Sequence, residues 1–261
     1  MKSLIPAACA CLLAMSFVAP AAAQERRSID ARVGLGVEVK PDYPGADEVS
    51  FGPLVNVDIR RGDDEFEFEA PDESFGFSVV SAGGFKFGPA LNIEGSRRPS
   101  EVGAEVDKVS TTFEAGGFAQ IALGESFRLR TELRQGIGGH DGLVGNVGAD
   151  FIARDGDKYV FSLGPRLLFS DGKYQRAYFG VTPEVAVRTG LAQFRPDGGI
   201  YGVGATAGFL TQLGGPFGLY AYARYDRLLE DGKNSPITRG FGSADQFSGG
   251  LALTYTFSVR R

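Results

Sequence analysis

Gln246-Phe247-Ser248-Gly249-Gly250-Leu251-Ala252-Leu253-Thr254-Tyr255-Thr256-Phe257 is the stretch that decides the fold. Phe247, Gly249, Leu251, Leu253, Tyr255 and Phe257 form one side, and Gln246, Ser248, Gly250, Ala252, Thr254 and Thr256 the other. Period two over twelve residues predicts a strand, because side chains alternate across a pleated backbone. Strands of soluble sheets average roughly half that length. A strand tilted across a bilayer needs about ten residues. The large apolar side suits lipid, and the small polar side suits a crowded lumen.

Working outward, the pattern recurs. Tyr159, Phe161, Leu163, Pro165, Leu167 and Phe169 oppose Ser162, Gly164, Arg166 and Ser170. Phe127, Leu129, Thr131 and Leu133 oppose Arg128, Arg130, Glu132 and Arg134. Val33 to Val39 and Phe85 to Ile93 behave likewise, and weaker versions run through Val55 to Ile59, Phe113 to Ile121, Leu143 to Ala153 and Tyr201 to Phe209. A soluble sandwich or lipocalin-type barrel would show shorter strands and an outer face dense in Lys and Glu. The expectation is therefore a transmembrane, antiparallel, up-and-down β-barrel.

The N-terminus agrees with export. Lys2, an apolar run from Leu4 to Val18 and Ala21-Ala22-Ala23 describe a signal peptide over residues 1–23, cleaved between Ala23 and Gln24, with the barrel domain over 24–261. Pro6-Ala7-Ala8 before Cys9 fits a lipoprotein signal poorly. Both cysteines, Cys9 and Cys11, lie in the signal segment, so the mature chain has no thiol for a disulfide or a metal. Without Lys2 it carries 26 basic and 32 acidic residues, a net charge of −6, which argues against nucleic acid as a partner. No later stretch approaches a transmembrane helix, and the signal peptide is the one helix expected.

Short turns fall at Gly124-Glu125-Ser126, Asp155-Gly156-Asp157 and Gly214-Gly215-Pro216, and longer connections at Pro41–Ser50, Gly95–Ser110, Ser170–Gly199 and Glu230–Ala244. Bacterial barrels alternate short periplasmic turns with longer outer loops. Counting back from the C-terminus under that rule gives twelve strands, with ten as the alternative. Twelve requires Glu65–Ala70 and Phe75–Val80 to be two separate short strands. Ala177–Phe194 reads as a loop, one strand or a hairpin.

Pro165-Arg166-Leu167, Phe169-Ser170-Asp171-Gly172-Lys173-Tyr174, Tyr178-Phe179-Gly180-Val181 and Gly190-Leu191 resemble the central signature of the MipA/OmpV family of outer-membrane proteins. Tyr225-Asp226-Arg227-Leu228, Asn234-Ser235-Pro236-Ile237, Tyr255-Thr256-Phe257 and the early Pro41-Asp42-Tyr43-Pro44-Gly45 fit as well. The resemblance implies location in the outer membrane, in contact with its lipid. It also implies a scaffold role joining a murein lytic transglycosylase to a murein synthase. Two departures stand out: the chain has no Trp, and it continues past Phe257 through Ser258-Val259-Arg260-Arg261.

Little else points to chemistry, and no catalytic, cofactor or metal residues are assigned. His140, in Gly138-Gly139-His140-Asp141-Gly142, is the only histidine and would be the base of a lipid hydrolase. Yet no G-x-S-x-G elbow accompanies it, and alone it cannot build a zinc site. Asp155-Gly156-Asp157 reads as a hairpin turn rather than a calcium loop, and Gly34-Leu35-Gly36 as small inward residues. Arg128, Arg130, Glu132 and Arg134 share one strand face. They either line an anion-permeable lumen or pair with carboxylates such as Glu94, Glu114 and Asp150. The second reading is favoured, because burying unpaired charge is costly. The function classes in order are scaffold, small-solute channel and lipid hydrolase.

Overall fold

A computed structural model describes residues 28–62 and 64–259. The expected signal peptide, with its expected cleavage between Ala23 and Gln24, falls outside the described residues. Ten long strands build the wall: β1 (Ile29–Pro41), β2 (Val49–Arg61), β5 (Phe85–Glu94), β6 (Thr112–Leu123), β7 (Phe127–Gly138), β8 (Leu143–Asp155), β9 (Tyr159–Ser170), β10 (Gly199–Gly214), β11 (Phe217–Leu228) and β12 (Asp245–Val259). Two short strands, β3 (Phe75–Gly76) and β4 (Val80–Ala82), complete a twelve-stranded antiparallel sheet. Consecutive long strands pair with one another except β2 with β5, and β1 pairs with β12 from Ile29↔Val259 to Val39↔Gly249. The fold is thus the all-β, up-and-down transmembrane barrel expected from the alternation.

That alternation sets the facing. On β12, Phe247, Leu251, Leu253 and Tyr255 are exposed on the outside, while Gln246, Ala252 and Thr254 are buried within. The connections at 83–84, 124–126, 156–158 and 215–216 are short and share one end with the paired termini of β1 and β12. The connections at 42–48, 95–111, 139–142, 171–198 and 229–244 gather at the other end, the outer one by the asymmetry of such barrels.

The outer connections hold five short helices that were not expected: α1 (Pro99–Val102), α2 (Gly172–Phe179), α3 (Pro183–Thr189), α4 (Glu230–Asn234) and α5 (Pro236–Phe241). The segment Ala177–Phe194 is therefore the end of α2, then α3, closed by a bridge between Val181 and Phe194. Local chemistry starts these helices. Asp171 accepts from the backbone N–H groups of Lys173 and Tyr174, Thr182 caps α3 before Pro183, and Ser235 caps α5 before Pro236. Together they cover the outer mouth with an apolar core that includes Tyr43, Val102, Tyr178, Phe179, Val185 and Ile237. Buried Arg97 ties it down, donating to the carbonyls of Tyr178 and Asp107, each at 2.7 Å.

One expected strand is absent. Residues Glu65–Ala70 are not in the sheet, and Phe75–Val80 resolves into β3 and the start of β4. Both short strands lie against β5, with Phe75↔Leu91 and Val80↔Phe87. The sheet path consequently ends on β2 at one margin and on β3 and β4 at the other, and these margins share no backbone pairing among the described residues. The missing chain runs inside the barrel instead.

Candidate functional site

Among the described residues, buried charged groups converge in the lumen. On β7 the apolar Phe127, Leu129 and Leu133 face outward, so Arg128, Arg130, Glu132 and Arg134 all point in and are buried. Arg128 lies opposite Asp150 in the register of β7 and β8 and bonds it at 2.6 Å. Arg134 reaches Glu114 on β6 at 2.8 Å and Glu132 at 2.5 Å. Arg130 pairs with Glu132 at 2.7 Å, donates to Gln120 at 2.7 Å and lies 3.8 Å over the Phe118 ring. Of the carboxylates expected beside the stripe, Glu114 and Asp150 pair with it, whereas Glu94 makes no ion pair with these arginines among the described residues.

The partner that sequence reasoning missed is the segment between β2 and β3, which crosses the lumen as a plug. Phe66 is 2% exposed and sits beneath the guanidinium groups of Arg32 and Arg60, at 4.3 and 4.7 Å from its ring centre. The Arg128 guanidinium lies 4.5 Å over Phe68 and donates to its carbonyl at 3.2 Å. Asp72 takes two hydrogen bonds from Arg166, at 2.7 and 2.9 Å, with Arg224 at 3.8 Å. Glu73 pairs with Arg128 and, at 3.4 Å, with Arg130. Ser74 donates its hydroxyl to Glu132 at 2.7 Å. Burial works against ionisation of Asp72, but the Arg166 hydrogen bonds and the Arg224 charge outweigh it and hold the carboxyl below its ordinary range.

These contacts come from strands all round the wall, so the plug ties opposite sides together. A signal was present in the sequence: seven of the eleven residues from 63 to 73 are acidic, and Pro71 interrupts any strand there. A strongly anionic connection beside an inward arginine stripe is a natural filling for that stripe.

Between plug and outer cap lies a cavity of about 390 Å³. Its lining includes Lys40 and Asp42 at the end of β1, Glu94 at the end of β5, Arg134, Asp226 and Tyr201. Tyr201 faces inward because a bulge at Ile200/Gly202 shifts the register of β10 against β9, placing two successive residues inside. There its ring packs 5.3 Å from that of Tyr174.

His140 is buried beneath the cap. Its Nδ1 accepts from the Gly142 backbone N–H at 3.1 Å, which leaves the proton on Nε2, 3.0 Å from Glu114. Tyr174 packs edge-on at 5.0 Å. Both ring nitrogens are thus engaged, and neither meets a serine hydroxyl. Asp155-Gly156-Asp157 is the hairpin turn between β8 and β9, with Asp157 turned toward Arg60 of β2.

A family model described as "MltA-interacting protein MipA" matches residues 33–257. No curated protein matches the chain. Among solved structures it is similar to a "KdgM porin" at 8% identity and a TM-score of 0.37, covering 88% of this chain and 99% of that one. It is similar to OmpT of Vibrio cholerae at 9% identity and a TM-score of 0.38, covering 89% and 98%. A Pseudomonas aeruginosa FadL homologue aligns at 9% identity and a TM-score of 0.31, covering 89% and 90%.

Proposed function

The chain belongs to the MipA family, and from that membership we propose that this outer-membrane β-barrel is a scaffold for murein enzymes rather than a catalyst or a standing pore. The observation that carries the reading is the filled lumen. Asp72 and Glu73 of the plug are bonded to Arg166, Arg128 and Arg130 of the wall, and a helical cap with its own core closes the outer end. A wide aqueous path would require these contacts to be broken. The periplasmic end is left as the surface for partners, where the turn residues Lys158 and Asp155 project into solvent. The family name, MltA-interacting protein, points to a murein lytic transglycosylase as the first partner, and the resemblance noted in the sequence implies a murein synthase as the second. The engagement of both His140 nitrogens supports a non-enzymatic role.

The test is capture of the membrane-embedded protein with its crosslinked envelope partners, in parallel with planar-bilayer recording. The scaffold reading expects a murein lytic transglycosylase in the captured set and no lasting stepwise conductance. Stable conductance with no murein enzyme captured would overturn it. The small-solute channel is the second reading, favoured by the polar cavity of about 390 Å³ above the plug.

A further inference from the structure

The plug segment has the sequence of a wall strand. Glu65, Glu67 and Glu69 alternate with Phe66, Phe68 and Ala70, the pattern of a strand with carboxylates inward and rings toward lipid. The wall lacks one strand at a corresponding place, between β2 and the β3–β4 margin. Direction agrees as well. The strand β2 runs toward the periplasmic end, and β3 and β4 run toward it again, antiparallel to β5. A strand over Glu65–Ala70 would run the other way, antiparallel to both margins, and with β3 and β4, which follow one another along β5, taken as one strand, the closed barrel would have an even number. Unpaired backbone facing hydrocarbon is strongly disfavoured, so two free margins favour such an insertion. The ion pairs and buried Phe66 favour the plug.

We propose that Glu65–Ala70 exchanges between these two places, and that the protein passes small polar solutes while the segment lies in the wall. In the plugged state the lumen is occupied, and the barrel serves as a closed platform. In the inserted state Phe66 and Phe68 face lipid, Asp72 and Glu73 leave their arginines, and the central lumen empties. This gated passage goes beyond the scaffold reading and does not depend on it.

The composition of the chain makes the exchange measurable. It has no Trp, and its only cysteines lie in the signal segment, so introduced residues of both kinds are unique in the mature protein. A Phe68→Trp variant is placed in vesicles of phospholipids with brominated acyl chains, which quench tryptophan at close range. The lock is a cysteine pair, Pro71→Cys with Gly208→Cys, since a Cβ on Gly208 would stand 3.0 Å from Pro71 Cγ in the plugged state. Quenching is expected in the reduced protein, falling at least twofold on oxidation and returning with a thiol reductant. Brief conductance events should follow the same course. A second variant set, Asp72→Asn with Glu73→Gln, loosens the anchors without a crosslink and should raise both signals. Equal quenching before and after oxidation, whether absent or present in both, overturns the proposal.

Discussion

Asp72 and Arg166 form a two-pronged ion pair across the lumen, with Nε at 2.7 Å and Nη2 at 2.9 Å from the two carboxylate oxygens. One partner belongs to the plug and the other to β9, 94 residues apart in the chain. Arg166 also reaches Asp150 at 2.8 Å, and Asp150 binds Arg128. The plug is therefore joined to a continuous network rather than to a single residue.

Removing one side of that pair leaves the other buried without its partner. Arg166→Met should lower barrel stability by about 3–5 kcal/mol, the range for breaking a buried pair. The double variant with Asp72→Leu should recover much of that loss. Urea midpoints in detergent for the two singles and the double measure the coupling, and additive losses would refute a direct interaction.

Acid should release the same anchor. The Asp72 carboxyl titrates below its ordinary value in the folded protein. Its contribution is therefore complete above the unfolded value of about pH 4 and is lost as pH falls through the lower folded value. The pair should add no slope to stability between pH 7 and pH 5. Below about pH 4 the wild type should lose stability in a step that Asp72→Asn does not show.

Arg130→Ala should destabilise the barrel by a few kcal/mol, since it strips partners from Glu132 and Gln120 and uncovers Phe118. A stable Arg130→Ala variant that abolished a clear anion-selective current of the wild type would reverse the assignment.

Leu253 is exposed on the outer face of β12 and Thr254 is buried on the inner one. Leu253→Arg should cost about 2–4 kcal/mol if it lies near the bilayer midplane, and Leu253→Phe close to nothing. Thr254→Arg should also be harmful, but for steric reasons: a Cβ on Gly218 would already stand 2.5 Å from Thr254 Oγ1. Refolding yields in thick and thin lipid bilayers separate the two, because only the Leu253→Arg cost depends on depth.

His140→Ala should loosen the outer cap by removing the contacts to Glu114 and to the Tyr174 ring. The expected readout is faster proteolysis in the connection over 171–198, with lipid hydrolysis no different from a mock preparation. Loss of a measurable lipase activity would restore the enzymatic reading.

What was legible follows from the range of the interactions. Alternation in Phe247–Phe257 and Phe127–Arg134 is a local property, so the strands and their faces could be read directly. Asp150 and Glu114 lie on strands next to β7, close enough in pairing to be named as partners of the arginines. The helices were missed although Thr182-Pro183 and Ser235-Pro236 are cap-then-proline starts. Each helix is eight residues or fewer, too short to show a periodic apolar face. Glu73 and Asp72 went unrecognised because their partners lie 55 and 94 residues away.

The sequence by itself determined a transmembrane barrel, the side of each strand that meets lipid, and a stripe of charge that had to be neutralised within. Only the tertiary structure decided where Glu65–Ala70 goes. Its alternation suits the wall as well as the lumen, so the local pattern is indifferent between the two. The choice rests on Arg32, Arg60, Arg128 and Arg166, brought from four strands to one point around Phe66, Phe68 and Asp72. That convergence exists only once the sheet has curled, and no window of sequence contains it.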